Sequence, residues 1–167
     1  MKEKETSFSL HPFSPYFDKS STILILGSFP SFLSRKEGFY YGNPQNRFWK
    51  ILGQVFLEEE PSSLSDKKAM LSRHHLALYD AYGALKIQGS QDASIKEAKL
   101  SDLSPILSSC PIKRILCNGK ASYQGTIKQV GIFVPIISLP SSSPANASYS
   151  LAKLVLLYKP YLLDTNF

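Results

Sequence analysis

Cysteine is scarce in this 167-residue sequence, which has two, Cys110 and Cys117. There is no second cysteine pair to complete a four-ligand zinc or iron–sulfur site, so no cluster or structural metal is expected. Cys117 lies within the apolar run Ile115-Leu116-Cys117 and reads as a buried structural thiol, consistent with a reducing cytoplasm. Long apolar runs are missing too: no segment has the roughly 20 residues needed to cross a bilayer. The stretch Met1 to Thr6 is charged and lacks the apolar core of a secretory leader. A soluble cytoplasmic protein with no membrane partner is expected. There is no Gly-x-Gly-x-x-Gly or phosphate-loop motif, which argues against a nucleotide-dependent enzyme. A Gly-x-Ser-x-Gly turn is also absent, so Ser–His hydrolase chemistry is disfavoured. Acidic residues are outnumbered 13 to 19 by Lys and Arg, giving a net charge of +6. That balance permits a polyanionic partner without requiring one.

With 43% hydrophobic residues, the chain can form one domain with a substantial core. Residues 1–9 are expected to be flexible, and His11 to Pro15 to pack as an irregular lead-in. Four apolar runs, Thr22 to Gly27, Leu76 to Tyr79, Arg114 to Cys117 and Ile132 to Leu139, have the look of buried parallel strands. Between them, helical spacing covers Asn46 to Leu57, Leu64 to His74, Leu100 to Cys110, Lys120 to Val130 and Ala145 to Tyr158. Lys86 to Lys99 is polar without a clear period and reads as a surface excursion. The alternation predicts an α/β three-layer sandwich around a mainly parallel four-stranded sheet.

Ligands of such sheets collect beyond the carboxyl ends of the strands. The segments there are Gly27-Ser28-Phe29-Pro30-Ser31, Asp80-Ala81-Tyr82, Asn118-Gly119 and Leu139-Pro140-Ser141-Ser142-Ser143-Pro144. A further loop carries Phe39-Tyr40-Tyr41-Gly42-Asn43-Pro44-Gln45-Asn46. These polar residues should converge on one rim, with His11, His74 and His75 lying apart from it.

The string Leu26-Gly27-Ser28-Phe29-Pro30-Ser31, followed by Tyr40-Tyr41-Gly42-Asn43-Pro44-Gln45-Asn46-Arg47-Phe48-Trp49, resembles the first motif of the uracil-DNA glycosylase superfamily. Leu139 to Ala147 resembles the second motif of its hypoxanthine (deoxyinosine) DNA glycosylase branch, and Leu78-Tyr79-Asp80, Gly89-Ser90 and Asn118-Gly119 fit the spacing between. The Asn-Arg-Phe-Trp ending is close to that of mismatch-specific uracil and thymine glycosylases. The resemblance spans roughly Leu10 to Lys159. It implies a monofunctional DNA glycosylase of base excision repair, probing DNA for deaminated bases as a monomer. The target nucleotide leaves the stack because its glycosidic bond cannot be reached inside the duplex.

Carried over residue by residue, the resemblance makes Asn46 the first choice for the catalytic polar group, positioning water or stabilising positive charge on the sugar. An amide is a poor general base, so such an enzyme depends on leaving-group quality and pre-positioning. Locally, Asn43-Pro44 also reads as a helix cap, with Asn46 an ordinary first-turn residue. Ser28 stands where relatives place a catalytic Asp or Asn; its hydroxyl either holds a water or satisfies the turn. Tyr41 aligns with the aromatic that stacks on the flipped base, and Tyr40 and Phe29 join it as base contacts. Phe39, and the helix-face residues Phe48, Trp49, Leu52 and Phe56, are expected in the core.

Asp80 stands where the uracil enzymes carry a base-reading Asn. A carboxylate there accepts from the imide-like N–H that hypoxanthine and uracil possess and adenine and cytosine lack, although it equally caps a turn. Asn118 is a weaker candidate, since Asn-Gly is a common turn. Ser31, Ser141, Ser142, Ser143 and Pro144 are assigned to DNA, the last four as small hydroxyls and amides ahead of a helix N-terminus. The same run also reads as a Ser/Pro loop capping the last helix. Leu139 replaces the histidine that supports the departing uracil anion elsewhere in the family. With Ser28, that departure leaves open a non-catalytic DNA-damage or nucleotide-binding module of the same fold.

Overall fold

The computed structural model describes residues 6–88 and 94–163. In chain order its elements are β1 (Thr6–Leu10), β2 (Ile23–Gly27), α1 (Phe32–Glu37), α2 (Phe48–Phe56), α3 (Leu64–Arg73), β3 (Leu76–Asp80), β4 (Tyr82–Gln88), β5 (Ser94–Leu100), α4 (Ser104–Ser109), β6 (Arg114–Asn118), α5 (Lys120–Thr126), β7 (Ile136–Leu139) and α6 (Leu151–Leu163). The order β3-β2-β6-β7 makes a four-stranded sheet, parallel throughout. Side chains alternate across a strand, so Ile23 and Ile25 face a core shared with Phe48, Leu52, Met70, Leu71, Leu154 and Tyr158. Leu24 and Leu26 face the other layer, against Leu103, Ile106 and Ile115. Because both faces are covered, β2 is apolar throughout and every residue of it is buried. This is the three-layer α/β sandwich that the strand runs imply.

The sequence reading differs from the structure in several places. Lys86 to Lys99 is no surface excursion: β1, β4 and β5 form a second, antiparallel sheet in that order. Residues 89–93, including Gly89-Ser90, lie outside the described residues. Residues 6–9, within the segment expected to be flexible, belong to β1, whose five residues pair with 84–88. Strand β7 occupies only the last part of the run Ile132 to Leu139, and α4 is shorter than Leu100 to Cys110, since Leu100 closes β5. The last helix starts at Leu151 rather than Ala145, with the Ser150 hydroxyl accepting from Lys153 N–H at 3.1 Å.

The second sheet meets the first at the carboxyl end of β3. Ala81 N–H donates to the Gly27 carbonyl at 2.8 Å, and Tyr82 N–H to that of Ser28 at 3.0 Å. The chain thereby leaves one sheet and enters the other beside the segment that follows β2.

Candidate active site

The expected residues meet at one place. Ser28, Phe29, Ser31, Tyr40, Tyr41 and Asn46 from the first motif join Asp80, Asn118 and Ser141 to Ser143 around a cavity of about 180 Å³. Pro144 does not line it and is exposed. Cavities for drug-sized ligands run to roughly 300–1,000 Å³, so this one suits a single base better than a dinucleotide.

Asn46 lies just ahead of α2, not in its first turn. Its Oδ1 accepts from Phe48 N–H at 2.9 Å and from the Ser142 hydroxyl at 2.7 Å. The Ser142 hydroxyl in turn accepts from Asn118 Nδ2 at 2.9 Å, while Asn118 Oδ1 accepts from Ser142 N–H at 2.8 Å and from the Tyr158 hydroxyl at 3.0 Å. Backbone N–H groups can only donate, so the two at Phe48 and Ser142 fix both amides and the direction of the whole chain. Both acceptor positions of Asn46 Oδ1 are filled, and its Nδ2 hydrogens are what it offers the cavity. Ser142 and Asn118 are 1% and 8% exposed, with their polar atoms turned toward each other.

Arg47 fastens the two motifs together. Its guanidinium donates to the carbonyls of Ser142 (3.3 Å), Ser143 (2.8 Å), Asn146 (3.1 Å) and Tyr149, and its own N–H to Ser142 at 3.1 Å. The planar fork suits a cluster of carbonyls. These bonds, with Ala145 N–H to the Ser143 hydroxyl at 3.2 Å, hold residues 141–149 as a loop. The serines are therefore separated from the N-terminus of α6, and the helix-dipole argument for an anion there does not apply.

Tyr41 stacks on Phe48, with ring centroids 4.0 Å apart at 28°. Its φ of 55° is a conformation that aromatic residues seldom adopt. Gly42 N–H, bonded to the Ser34 hydroxyl at 2.8 Å, anchors the chain just after it. Burial raises the Tyr41 phenol above its ordinary range, as does the neighbouring Asp80. Tyr40 lines the cavity but turns its hydroxyl away, to the Ser14 carbonyl at 3.0 Å. The Ser31 hydroxyl caps α1 by accepting from Ser34 N–H at 3.2 Å. Phe39, Phe48, Trp49 and Leu52 are in the core and Phe56 packs against it; Leu139 and both free cysteines are buried.

Sequence reasoning missed His11 at this site. β1 delivers it: His11 N–H donates to the Gly83 carbonyl at 2.8 Å, and Nε2 lies 2.7 Å from Asp80 Oδ2. Asp80 is 3% exposed; burial raises its carboxyl above the usual range, while the contact with His11 pulls it back. Nothing in the local sequence marks two residues 69 positions apart as partners. Arg114, at the start of β6, is 3% exposed and donates through Nε to the Tyr161 carbonyl at 2.8 Å.

A larger groove of about 860 Å³ adjoins the cavity, sharing Ser28, Ser141 and Ser143 and bounded further by Lys120, Asn146 and Tyr149. Among the described residues, no His/Cys/Asp/Glu group could hold a metal, and no helix is long and apolar enough to cross a membrane.

The family model described as the uracil DNA glycosylase superfamily matches residues 14–162. The chain belongs to the uracil DNA glycosylase superfamily. Within it, a hypoxanthine DNA glycosylase of Methanosarcina acetivorans is 34% identical over 142 residues, 83% of this chain and 89% of that protein. One of Methanosarcina barkeri is 36% identical over 138 residues, covering 80% and 86%. A solution NMR structure of a candidate uracil DNA glycosylase from M. acetivorans superposes with a TM-score of 0.76 at 29% identity, covering 96% of this chain and 99% of that one. With both sequence relatives named as glycosylases, this superfamily member is a DNA glycosylase, and the non-catalytic alternative falls away.

Proposed function

We propose that this DNA glycosylase is monofunctional, hydrolysing the N-glycosidic bond of a flipped deaminated base, with hypoxanthine the principal substrate and uracil a secondary one. Water adds to C1′ of the sugar, the base departs with a proton, and an abasic site remains in an intact strand. The observation that carries the reading is the fixed amide of Asn46 on a base-sized cavity. With Oδ1 saturated, Asn46 acts as a donor, through Nδ2–H, toward negative charge developing on the departing base; this replaces the water-positioning role. Tyr41, backed by Phe48, offers a face for stacking, and Asp80 reads the base edge. Ser28 lines both cavity and groove, where it can hold the attacking water. Lys120 and the serine loop supply the approach for the DNA backbone. No cofactor is required by this chemistry; the two buried thiols fit a reducing cytoplasm, and the protein acts as a monomer.

The test uses end-labelled single- and double-stranded oligonucleotides carrying one deoxyinosine or deoxyuridine, treated with alkali after incubation. Breaks at deoxyinosine that form far more slowly with Asn46→Ala are expected. Binding without breaks at any base would sink the proposal.

A further inference from the structure

The pair formed by His11 and Asp80 is more than a contact at the cavity wall. Their side chains are 3% and 5% exposed, and His11 Nδ1 is buried with no hydrogen-bond partner among the described residues. That asymmetry assigns the protons. A cationic imidazole, or a neutral one protonated on Nδ1, would bury an N–H without an acceptor. The neutral tautomer protonated on Nε2 leaves only a bare lone pair at Nδ1, a smaller loss. The surroundings agree, since rings of Phe13, Phe29, Tyr40 and Tyr79 enclose His11 with centroids 4.7–6.0 Å away. Nε2–H therefore donates to Oδ2, and Asp80 receives it as an anion. The second carboxylate oxygen, Oδ1, lies over Gly27, 2.5 Å from where a Cβ on that residue would stand, so only glycine admits it there.

We propose that His11 is a positioning residue for substrate choice: its Nε2–H keeps Asp80 an ionised acceptor at the cavity wall, so that the pocket takes bases presenting a lactam N–H and rejects those presenting a lone pair. The inference rests on the glycosylase reading above. Hypoxanthine and uracil offer that N–H; adenine and cytosine place a ring-nitrogen lone pair at the equivalent edge, against the carboxylate. The other titratable groups facing Asp80 are the phenols of Tyr40, Tyr41 and Tyr79, all raised by burial and by Asp80 itself, and so neutral. Tyr40 donates its hydroxyl to the Ser14 carbonyl, and the buried Tyr41 hydroxyl has no hydrogen-bond partner among the described residues; the His11 N–H is the side-chain donor that Asp80 has in this structure. Without it, a buried carboxyl takes up a proton more readily, gains a donor and loses the distinction between N–H and lone pair.

The full chain carrying Asn46→Ala, expected to bind DNA and to cut it far more slowly than wild type, is titrated by fluorescence anisotropy against oligonucleotides with deoxyinosine or deoxyadenosine at one site, across pH. A preference for deoxyinosine of at least about tenfold at neutral pH is expected. His11→Gln, whose amide offers a neutral N–H, keeps it. His11→Phe loses it, and the pH at which the preference disappears moves up by about one unit or more. Carbon-13 NMR titration of the Asp80 carboxyl, without DNA, should move in the same direction. An unchanged preference in His11→Phe, an unchanged Asp80 titration, or loss of preference in folded His11→Gln overturns the inference. Should the wild-type protein form no abasic sites while the Asp80 titration still moves, the pair stands and the glycosylase reading falls.

Discussion

Removing the Ser142 hydroxyl tests whether the fixed amide of Asn46 matters. In Ser142→Ala, Asn118 Nδ2 loses its acceptor at 2.9 Å and Asn46 Oδ1 loses one of two donors, at 2.7 Å. Ser142 is 1% exposed, so water cannot readily replace the hydroxyl. Orphaning a buried donor costs about 1–3 kcal/mol; about 2 kcal/mol in a chain of this length lowers the melting temperature by roughly 4–8 °C. The effect on chemistry is separate. With only Phe48 N–H holding Oδ1, the Asn46 amide gains freedom, and misplacement of this kind costs on the order of 10²-fold in rate. Single-turnover excision of deoxyinosine and thermal melts of Ser142→Ala, Asn46→Ala and the double variant separate the two. In the Asn46→Ala background, removing the hydroxyl should still lower the melting temperature but no longer slow the residual reaction. An equal rate loss in both backgrounds would show that Ser142 does not act through Asn46, refuting the donor chain.

Asn46→Asp replaces the Nδ2 donor by an acceptor and should slow excision by roughly 10²-fold at neutral pH, since one lost donor at a developing charge costs about that much; a faster enzyme in the same assay would exclude the donor role. Arg47→Lys cannot serve four carbonyls with one ammonium, so amide hydrogen exchange of residues 141–149 should accelerate and DNA binding weaken. Gly27→Ala places a Cβ 2.5 Å from Asp80 Oδ1 and 3.1 Å from Tyr41 Oη; melting and kinetics should show about 1–3 kcal/mol of destabilisation and loss of deoxyinosine excision. Burial raises Asp80, so the folded state binds its proton more tightly than the unfolded chain and loses stability as pH rises through that window. Asp80→Asn removes this penalty, and its melting temperature relative to wild type should climb between about pH 4 and neutrality; a pH-independent difference contradicts it.

The sequence alone determined the parallel sheet and the family. Strands buried on both faces must be apolar throughout, so β2, β3 and β6 are visible as runs, and the residues after Gly27 and before Trp49 carry a motif long enough to be specific. It also identified most of the residues that line the cavity, though not Ser34, because in such a sheet they gather beyond the carboxyl ends of the strands. What each of them does was decided by tertiary contacts. Whether Asn46 offers an oxygen or an amide hydrogen depends on Phe48 and on Ser142, 96 positions away. Asp80 meets His11 only because β1 pairs with β4 and sets it beside the end of β3. Residues 141–149 stay out of α6 because Arg47 engages their carbonyls, and the polar β4–β5 hairpin has no apolar period to reveal it. Apolar patterning records burial, which each residue experiences locally; hydrogen-bond direction is set by a partner, and partners here lie far away in the chain.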